Sequence, residues 1–336
     1  MRAMVIDRIV SLADDEAPLA SVELPDPEPG PGEVRIRVSA CGVCHTELDE
    51  IEGRTAPPRL PVVPGHEIVG RVDKIGKSAT RFAVGDRVGV GWIHASSGEP
   101  DENLSPDFEA TGRDVDGGYA EYMTVPETYA YPIPEVFSDA EAAPLLCAGG
   151  VGYRALRLTG LEDGQRLGLT GFGGSAHIVL QILRQTHPNS EVYVFARDAD
   201  AREFALELGA VWAGDTTDRS PKPVHAIIDT TPAWKPVVEA MANLVPGGRL
   251  VINAIRKEAG DKDYLQHLSY RKHLWLEKEI KTVANVTHQD IAEFLPIAAE
   301  VPLRPQVETY RLEEANRALL ELKRGPVRGA KVLLID

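Results

Sequence analysis

The sequence predicts an α/β fold with two domains, a β-rich first domain and a second domain built on a doubly wound parallel sheet. Its 336 residues are enough for two hydrophobic cores. Up to about residue 150, short runs that alternate in hydrophobicity are separated by Gly- and Pro-containing turns. Beyond that point, apolar strand-like runs alternate with helical patterns, which is typical of parallel sheets.

Composition and charge narrow the range of partners. The chain is 43% hydrophobic and 26% charged, which excludes a disordered protein. A formal net charge of -15 disfavours nucleic acid and an anionic membrane surface, but it does not choose a substrate. The three cysteines form no disulfide framework, and no signal peptide or membrane-spanning run is evident. We therefore expect a soluble cytoplasmic protein with reduced thiols.

The first domain is predicted to be a barrel-like β unit. A period-two alternation over residues 33–38 follows a Gly-Pro-Gly turn, as expected for a half-buried strand. Further strands are predicted over residues 1–10, 66–76 and 85–90.

The second half shows the alternation of a parallel sheet. Strands are predicted over residues 166–170, 191–195, 226–229 and 249–253, and helices over residues 175–185, 200–208 and 235–244. The tail contains a predicted helix, 312–322, and a last strand, 331–335. That strand has no obvious partner in the α/β block, so we expect it to return to the β domain.

A glycine-rich turn follows the strand over residues 166–170. It has the pattern G-x-G-x-x-A and consists of Gly171, Phe172, Gly173, Gly174, Ser175 and Ala176. Gly171 permits a tight turn, Gly173 lets the backbone approach a pyrophosphate, and Ala176 allows close helix–strand packing. Because the next helix presents free N–H groups to an anion, the pattern favours dinucleotide binding over a purely structural turn.

The next strand ends at Ala196 and Arg197, where an NAD-type site would carry an acid for the ribose 2′-hydroxyl. A small residue followed by a cation favours a 2′-phosphate, and hence NADP(H) over NAD(H). The alternative is that Arg197 is an ordinary surface residue and that Asp198, one position later, binds the ribose.

The cysteines and one histidine suggest a metal site. Alone, the C-x-x-C pair of Cys41 and Cys44 also fits a structural zinc corner or a redox pair. Only one further cysteine exists, Cys147, and His66 lies between. Two thiolates and one imidazole with a fourth position open make the Cys₂His type of catalytic zinc site, and these soft ligands suit zinc.

Several segments together resemble the zinc-dependent medium-chain alcohol dehydrogenases. They are CGVCHTEL and VPGHEIVGRV within residues 41–76, GGYAEY at 117–122, LLCA around Cys147 and the glycine-rich turn. They occur in the family's order and spacing and together cover most of the chain. The resemblance implies a GroES-like catalytic domain over 1–149, a Rossmann dinucleotide-binding domain over 150–285 and a return to the catalytic domain over 286–336. It also implies a homo-oligomer, for which we expect a tetramer rather than a dimer.

The resemblance implies a metal role for four residues. Cys44 rather than Cys41 is the first zinc ligand, His66 the second and Cys147 the third, which leaves Cys41 as a buried thiol. Glu67 matches a glutamate that either exchanges with water at the metal or stays just outside the ligand set.

The resemblance also implies which residues contact the alcohol, accept its proton and bind the cofactor. Thr46 is expected to bond the substrate alcohol and to accept its proton. Glu47 matches the acid that orients the histidine ligand, although most members have aspartate there. His45 is expected either to contact the cofactor pyrophosphate or to join the proton relay. Asp49 stands where some members carry a relay histidine, so the proton is expected to leave through Asp49, His45 or water. Trp92 either lines the substrate pocket or belongs to the core.

Many members bind a second, structural zinc on four cysteines, but residues 92–111 contain none and Ser105 stands where a ligand would be expected. We therefore predict one zinc per chain, with this lobe either mobile or held by other packing. The predicted reaction is hydride transfer between an alcohol and a nicotinamide cofactor, giving a ketone or aldehyde. The alternatives are a zinc-free NADPH-dependent quinone or enone reductase, a non-catalytic NADPH-binding protein and a zinc-bearing structural protein.

Overall fold

The computed structural model describes residues 1–301, 303–325 and 329–336. The chain forms two compact units, of which the first comprises Met1–Cys147, Val286–Ala299 and Arg304–Asp336. The second comprises Ala148–Asn285 and Glu300–Leu303. Within the described ranges, no helix is both long enough and apolar enough to cross a membrane.

The first unit is built mainly of short antiparallel strands. In chain order they are β1 (Arg2–Ile6), β2 (Leu19–Glu23), β3 (Glu33–Val43), β4 (Ile68–Ile75), β5 (Arg87–Val90), β6 (Ile93–Ala95), β7 (Glu109–Ala110), β8 (Tyr122–Pro126) and β9 (Ala130–Pro132). Two helices accompany them, α1 (His45–Ile51) and α2 (Asp139–Ala142). The predicted first strand, 1–10, is therefore shorter than expected, and the strand predicted over 66–76 begins only at Ile68.

Strand β3 is the centre of this unit. It pairs antiparallel with β4 and with β8, and its alternate residues Val34, Ile36 and Val38 are buried in the core. The period-two pattern is the cause, because successive side chains of a strand point to opposite faces of the sheet.

The second unit contains a six-stranded, entirely parallel sheet. Its strands are β10 (Arg166–Thr170), β11 (Glu191–Phe195), β12 (Trp212–Gly214), β13 (Val224–Asp229), β14 (Leu244–Ile252) and β15 (Glu279–Thr282), in the spatial order β12-β11-β10-β13-β14-β15. Its helices are α3 (Ala148–Thr159), α4 (Gly174–Thr186), α5 (Ala199–Glu207) and α6 (Lys235–Met241). This order reverses at β10, which confirms the predicted doubly wound sheet.

One predicted helix boundary is wrong. The helix expected over residues 235–244 ends at Met241, and Leu244 already begins β14. The apolar side chains of Leu244 and Leu250 are both buried, so the strand begins before the Pro-Gly-Gly segment and continues through it.

The tail adds α7 (His288–Glu300), β16 (Val307–Arg311), α8 (Ala315–Arg324) and β17 (Ala330–Leu334). β17 pairs antiparallel with β3, with Val332 opposite Gly42 and Leu333 opposite Cys41. The end of β3, just before Cys44, is thus fixed on one side by the last strand of the chain.

Candidate functional site

Four side chains of the first unit form a cluster that could hold a metal ion. One ligand atom each from Cys44, His66, Glu67 and Cys147 lies within 4.8 Å of all the others. His66 and Glu67 are buried, and the two cysteines are partly buried. The structure therefore brings together the four residues that the sequence analysis assigned to a metal.

Glu47 fixes two members of this cluster. Cys44 directly precedes α1, and one oxygen of the Glu47 carboxylate accepts a hydrogen bond from the Cys44 backbone N–H at 2.8 Å. The other oxygen lies 2.6 Å from Nδ1 of His66. Because Nδ1 faces this carboxylate, the lone pair of His66 is at Nε2, which has no hydrogen-bond partner of good geometry among the described residues.

Two glycines make room for the cluster. A Cβ on Gly42 would lie 1.8 Å from Oε2 of Glu67, so the Glu67 carboxyl group occupies the space above this residue. Gly65, just before His66, has φ +99°, and a Cβ there would lie 2.4 Å from the Tyr119 ring. A side chain at either position would displace a candidate ligand or its support.

The electrostatics of the cluster favour a cation. A hydrogen bond from Cys147 lowers the pKa of the Cys44 thiol well below its usual value, and the same bond raises the pKa of Cys147. Burial raises the pKa of Glu67 and of Glu47, because it removes water from the charged carboxylates and outweighs the favourable effect of His66 on both. Burial opposes a charge on His66, but the Glu47 carboxylate and the Cys44 thiol together outweigh burial and raise the pKa of His66.

The residues present fit a zinc ion. A tetrahedral zinc with bonds of about 2.0–2.3 Å needs ligand atoms roughly 3.3–3.8 Å apart, which the cluster's upper limit of 4.8 Å allows. Thiolate and imidazole ligands suit zinc, and Nε2 of His66 is the atom that a metal would bind, because Nδ1 faces the Glu47 carboxylate. A divalent cation would also offset the buried acidic groups, which are costly without one.

The remaining residues predicted for the chemistry surround Cys44. Thr46 is buried, with Oγ1 3.6 Å from Sγ of Cys44, and His45 is exposed at the first position of α1. The carboxylate of Asp49 binds Nε of Arg54 at 2.6 Å. Trp92 is buried with its ring centroid 4.6 Å from that of His66 and nearly perpendicular to it.

The predicted phosphate-binding turn lies between β10 and α4 in the second unit. Gly171 has φ +74°, and a Cβ there would lie 2.9 Å from Oγ1 of Thr230, so only glycine fits. Phe172 and Ala176 are buried, whereas a Cβ added to Gly173 would meet nothing within 4 Å. Helix α4 begins at Gly174, so the N–H groups of its first residues, Gly174 and Ser175, face the turn.

The end of β11 has a free cationic side chain. Ala196 is buried, and its N–H donates to the Gly214 carbonyl at 2.9 Å. The exposed Arg197 has no ion-pair partner among the described residues. Asp198 instead caps its own helix by accepting a hydrogen bond from the N–H of Asp200 at 3.0 Å.

Comparison with known proteins identifies the family. Residues 30–135 match the alcohol dehydrogenase GroES-like domain. The chain is 42% identical over 332 residues to the probable alcohol dehydrogenase AdhA of Mycobacterium tuberculosis, covering 96% of this chain and 94% of that protein. The chain belongs to the alcohol dehydrogenases of the medium-chain dehydrogenase/reductase superfamily.

Two further relatives support this family membership. An alcohol dehydrogenase of Geobacillus stearothermophilus is 31% identical over 353 residues, and each chain is covered completely. A cinnamyl alcohol dehydrogenase structure from Sorghum bicolor is 26% identical with a TM-score of 0.83, covering 100% of this chain and 97% of that one. The family resemblance and the fold class predicted from the sequence are thus confirmed.

This alcohol dehydrogenase family member holds its cysteine-free lobe, residues 92–111, through a buried glutamate. The carboxylate of Glu102 accepts hydrogen bonds from the Tyr129 hydroxyl at 2.8 Å and from the backbone N–H of His288. Its carbonyl also accepts a hydrogen bond from the Ser96 hydroxyl at 2.7 Å. Ser105, at the expected ligand position, ends a 3₁₀ turn and accepts a bond from the N–H of Asp107 at 3.1 Å.

Sequence reasoning missed Glu50, which lies on α1 one turn after Glu47. Both of its carboxylate oxygens are buried without a hydrogen-bond partner among the described residues. Burial raises the pKa of Glu50 well above its usual value, and the charges of Glu47, His66 and Cys44 also act on it. The i, i+3 spacing from Glu47 was the available signal, because it places both acids on one helix face.

Proposed function

We propose that the protein is a zinc-dependent alcohol dehydrogenase that transfers hydride between an alcohol and a nicotinamide cofactor. The observation that carries the proposal is the convergence of Cys44, His66 and Cys147, with Glu47 bound behind His66. A cluster that binds no metal would not need a buried carboxylate that leaves the outer imidazole nitrogen free for one.

In this proposal Cys44, His66 and Cys147 hold one catalytic zinc, and Glu67 stays close enough to exchange as a ligand. When bound, zinc supplies a Lewis acid for the substrate oxygen, and the nicotinamide supplies the hydride acceptor or donor. Glu47 keeps His66 in the tautomer that can bind metal and fixes the position of Cys44 through its backbone N–H.

Thr46 is the proposed proton acceptor. Its hydroxyl lies 3.6 Å from Sγ of Cys44, so an alcohol bound next to that ligand is within its reach. Asp49 is committed to an ion pair with Arg54, so we route the proton from Thr46 through the exposed His45 or through water rather than through Asp49.

We favour NADP(H) over NAD(H). Gly171, Gly173, Gly174 and Ser175 would surround the pyrophosphate at the start of α4. The unpaired guanidinium of Arg197, next to the small Ala196, suits a 2′-phosphate. Asp198 is occupied as a helix cap, which weakens the alternative that it binds a ribose hydroxyl.

Trp92 supports an apolar, aromatic or cyclic substrate. Its ring packs edge-on against the proposed metal ligand His66, with the centroids 4.6 Å apart. A flat indole wall favours aromatic or alicyclic alcohols over small charged ones.

Self-association is also part of the proposal. β15 is an edge strand whose four residues are all exposed, and Tyr270, Trp275 and Leu276 before it are at least half exposed. An unpaired edge strand that follows exposed apolar side chains is suited to pairing with a second copy, and light scattering would give the mass of the oligomer, for which we favour a tetramer. We also propose that the protein is cytoplasmic, because the proposed zinc site needs reduced thiols and the cytoplasm keeps thiols reduced.

The test is hydride transfer, followed by nicotinamide absorbance with a panel of alcohols and ketones and with both cofactors. We expect turnover in the wild-type protein, loss of turnover in Cys44→Ala and retention in Cys41→Ala, because Cys41 is a buried thiol outside the cluster. Reduction of a quinone or enone that survives in Cys44→Ala would instead establish a zinc-free reductase. Cofactor binding with no transfer to any substrate would indicate a non-catalytic protein.

A further inference from the structure

Asn253, directly after β14, has an unused hydrogen-bonding group. The side chain is 9% exposed, and its Nδ2 is buried without a hydrogen-bond partner among the described residues. A buried amide without partners destabilises a protein, so an unpaired amide at a proposed cofactor site is a candidate for a bond that a ligand completes.

The register of the sheet places Asn253 in one row with the phosphate-binding turn. Thr170 pairs with Asp229, and Asp229 pairs with Ile252, so the next residues along are Gly171, Thr230 and Asn253. The N–H of Asn253 donates to the Asp229 carbonyl at 2.7 Å. Two strand spacings separate Gly171 from Asn253, a distance of about 10 Å along the carboxyl edge of the sheet.

This row is held by a buried ion pair. The carboxylate of Asp229 accepts hydrogen bonds from the hydroxyls of Thr170 and Thr231 and binds Nζ of Lys257. Lys257 also donates to the carbonyls of Thr231 and Ala233, at 2.7 and 3.0 Å. Asp229 and Lys257 therefore both have their partners within the protein. The Asn253 amide N–H remains unsatisfied in this row, and the row holds it rigidly.

The position of Asn253 in the sheet indicates which part of the dinucleotide its side chain would contact. In a doubly wound sheet the pyrophosphate crosses at the strand where the order reverses, which is β10 here, and the two nucleosides lie on either side. Arg197, the proposed 2′-phosphate ligand, follows β11 and marks the adenosine side. Asn253 lies on the opposite side, beyond β13, where the nicotinamide nucleoside belongs.

We propose that the side-chain amide of Asn253 hydrogen bonds to the carboxamide of the nicotinamide and so orients the ring for hydride transfer. Both groups are primary amides, each with a carbonyl acceptor and two N–H donors, so they are complementary in either orientation of Asn253. The inference rests on the proposed nicotinamide cofactor and makes Asn253 a binding residue that no motif of the sequence indicated.

The experiment compares two probes on the whole protein. NADPH contains the carboxamide, whereas 2′-phospho-ADP-ribose contains the adenosine and pyrophosphate parts without nicotinamide. Asn253→Leu keeps the size of the side chain and removes its hydrogen bonds. We expect NADPH to bind about 3- to 10-fold more weakly, measured by fluorescence, and the fragment to bind as to the wild-type protein, measured by calorimetry.

Asn189→Leu, at an exposed loop amide of the same unit, is the matched control and should change neither dissociation constant. Equal weakening of both probes by Asn253→Leu, or weakening of neither, would overturn the inference. Unchanged binding of 2′-phospho-ADP-ribose also shows that Asn253→Leu is folded. If Asn253→Leu does not fold, Asn253→Ser is measured in its place. The proposed nicotinamide cofactor itself would be refuted if the wild-type protein bound none of NADPH, 2′-phospho-ADP-ribose, NADH and ADP-ribose.

Discussion

Replacing Glu102 by leucine should loosen the lobe formed by residues 92–111. The substitution keeps a side chain of similar size at a position that is 1% exposed and removes both carboxylate oxygens. The Tyr129 hydroxyl and the His288 N–H then lose their common acceptor. An unsatisfied buried donor costs about 1–3 kcal/mol, and the Tyr129 hydroxyl is buried whereas the His288 N–H is partly buried, so Glu102→Leu should lower the free energy of unfolding by about 1–5 kcal/mol.

The measurement is urea unfolding together with limited proteolysis across residues 96–110. Glu102→Gln, which keeps one good acceptor, should lose about 1–2 kcal/mol, and Glu99→Leu, at an exposed position of the same lobe, should stay within about 0.5 kcal/mol of the wild type. A double-mutant cycle of Glu102→Gln with Tyr129→Phe should show a coupling of about 1 kcal/mol or more.

Two results would refute this reasoning. One is a loss of less than about 1 kcal/mol in Glu102→Leu, since the Tyr129 hydroxyl and the His288 N–H would then have other acceptors. The other is additivity of the Glu102 and Tyr129 substitutions to within about 0.3 kcal/mol.

Three further predictions concern the metal site, the cofactor and pH. Glu47→Gln should weaken zinc binding about 10-fold in a competition titration with a chelator, and unchanged affinity would mean that Glu47 does not support His66. Arg197→Ala should shift the NADPH/NADH affinity ratio about 10-fold toward NADH. Arg219→Ala, at an arginine of the same unit that is paired with Glu239 at 2.9 Å, should leave the ratio unchanged. Despite the opposing effect of burial, Lys323 and other donors lower the pKa of Glu52 from 4.5 to about 2. Glu52 therefore contributes about 1–2 kcal/mol above pH 4.5, which is lost as the pH falls toward 2, and a Glu52→Gln variant with the same acid profile as the wild type would contradict this.

The sequence predicted the parts of the site that depend on short motifs. The G-x-G-x-x-A turn is local, because Gly171 needs its positive φ whatever the rest of the chain does. Cys44, His66 and Cys147 follow from residue type and family resemblance, and the structure places them together with Glu67. The extra methylene of Glu47 makes its role ambiguous in the sequence, and the structure shows that this longer side chain reaches Nδ1 of His66.

The sequence did not predict features that depend on distant segments. The contact between Glu102 and His288 joins residues 186 positions apart, and neither lies in a recognised motif. Helix α7 contains Pro296, which masks its helical pattern. The unpaired amide of Asn253 follows an apolar strand and becomes visible only when its neighbours are known.

Zinc content per chain is the most direct test of the central claim. Elemental analysis of the purified wild-type protein should give about one zinc per chain, because the chain has cysteines for one catalytic site and none in residues 92–111. Cys44→Ala should lose the metal while keeping cofactor affinity, and Cys41→Ala should keep both. Zinc below about a tenth of an equivalent in the wild-type protein, or full zinc in Cys44→Ala, would contradict the account.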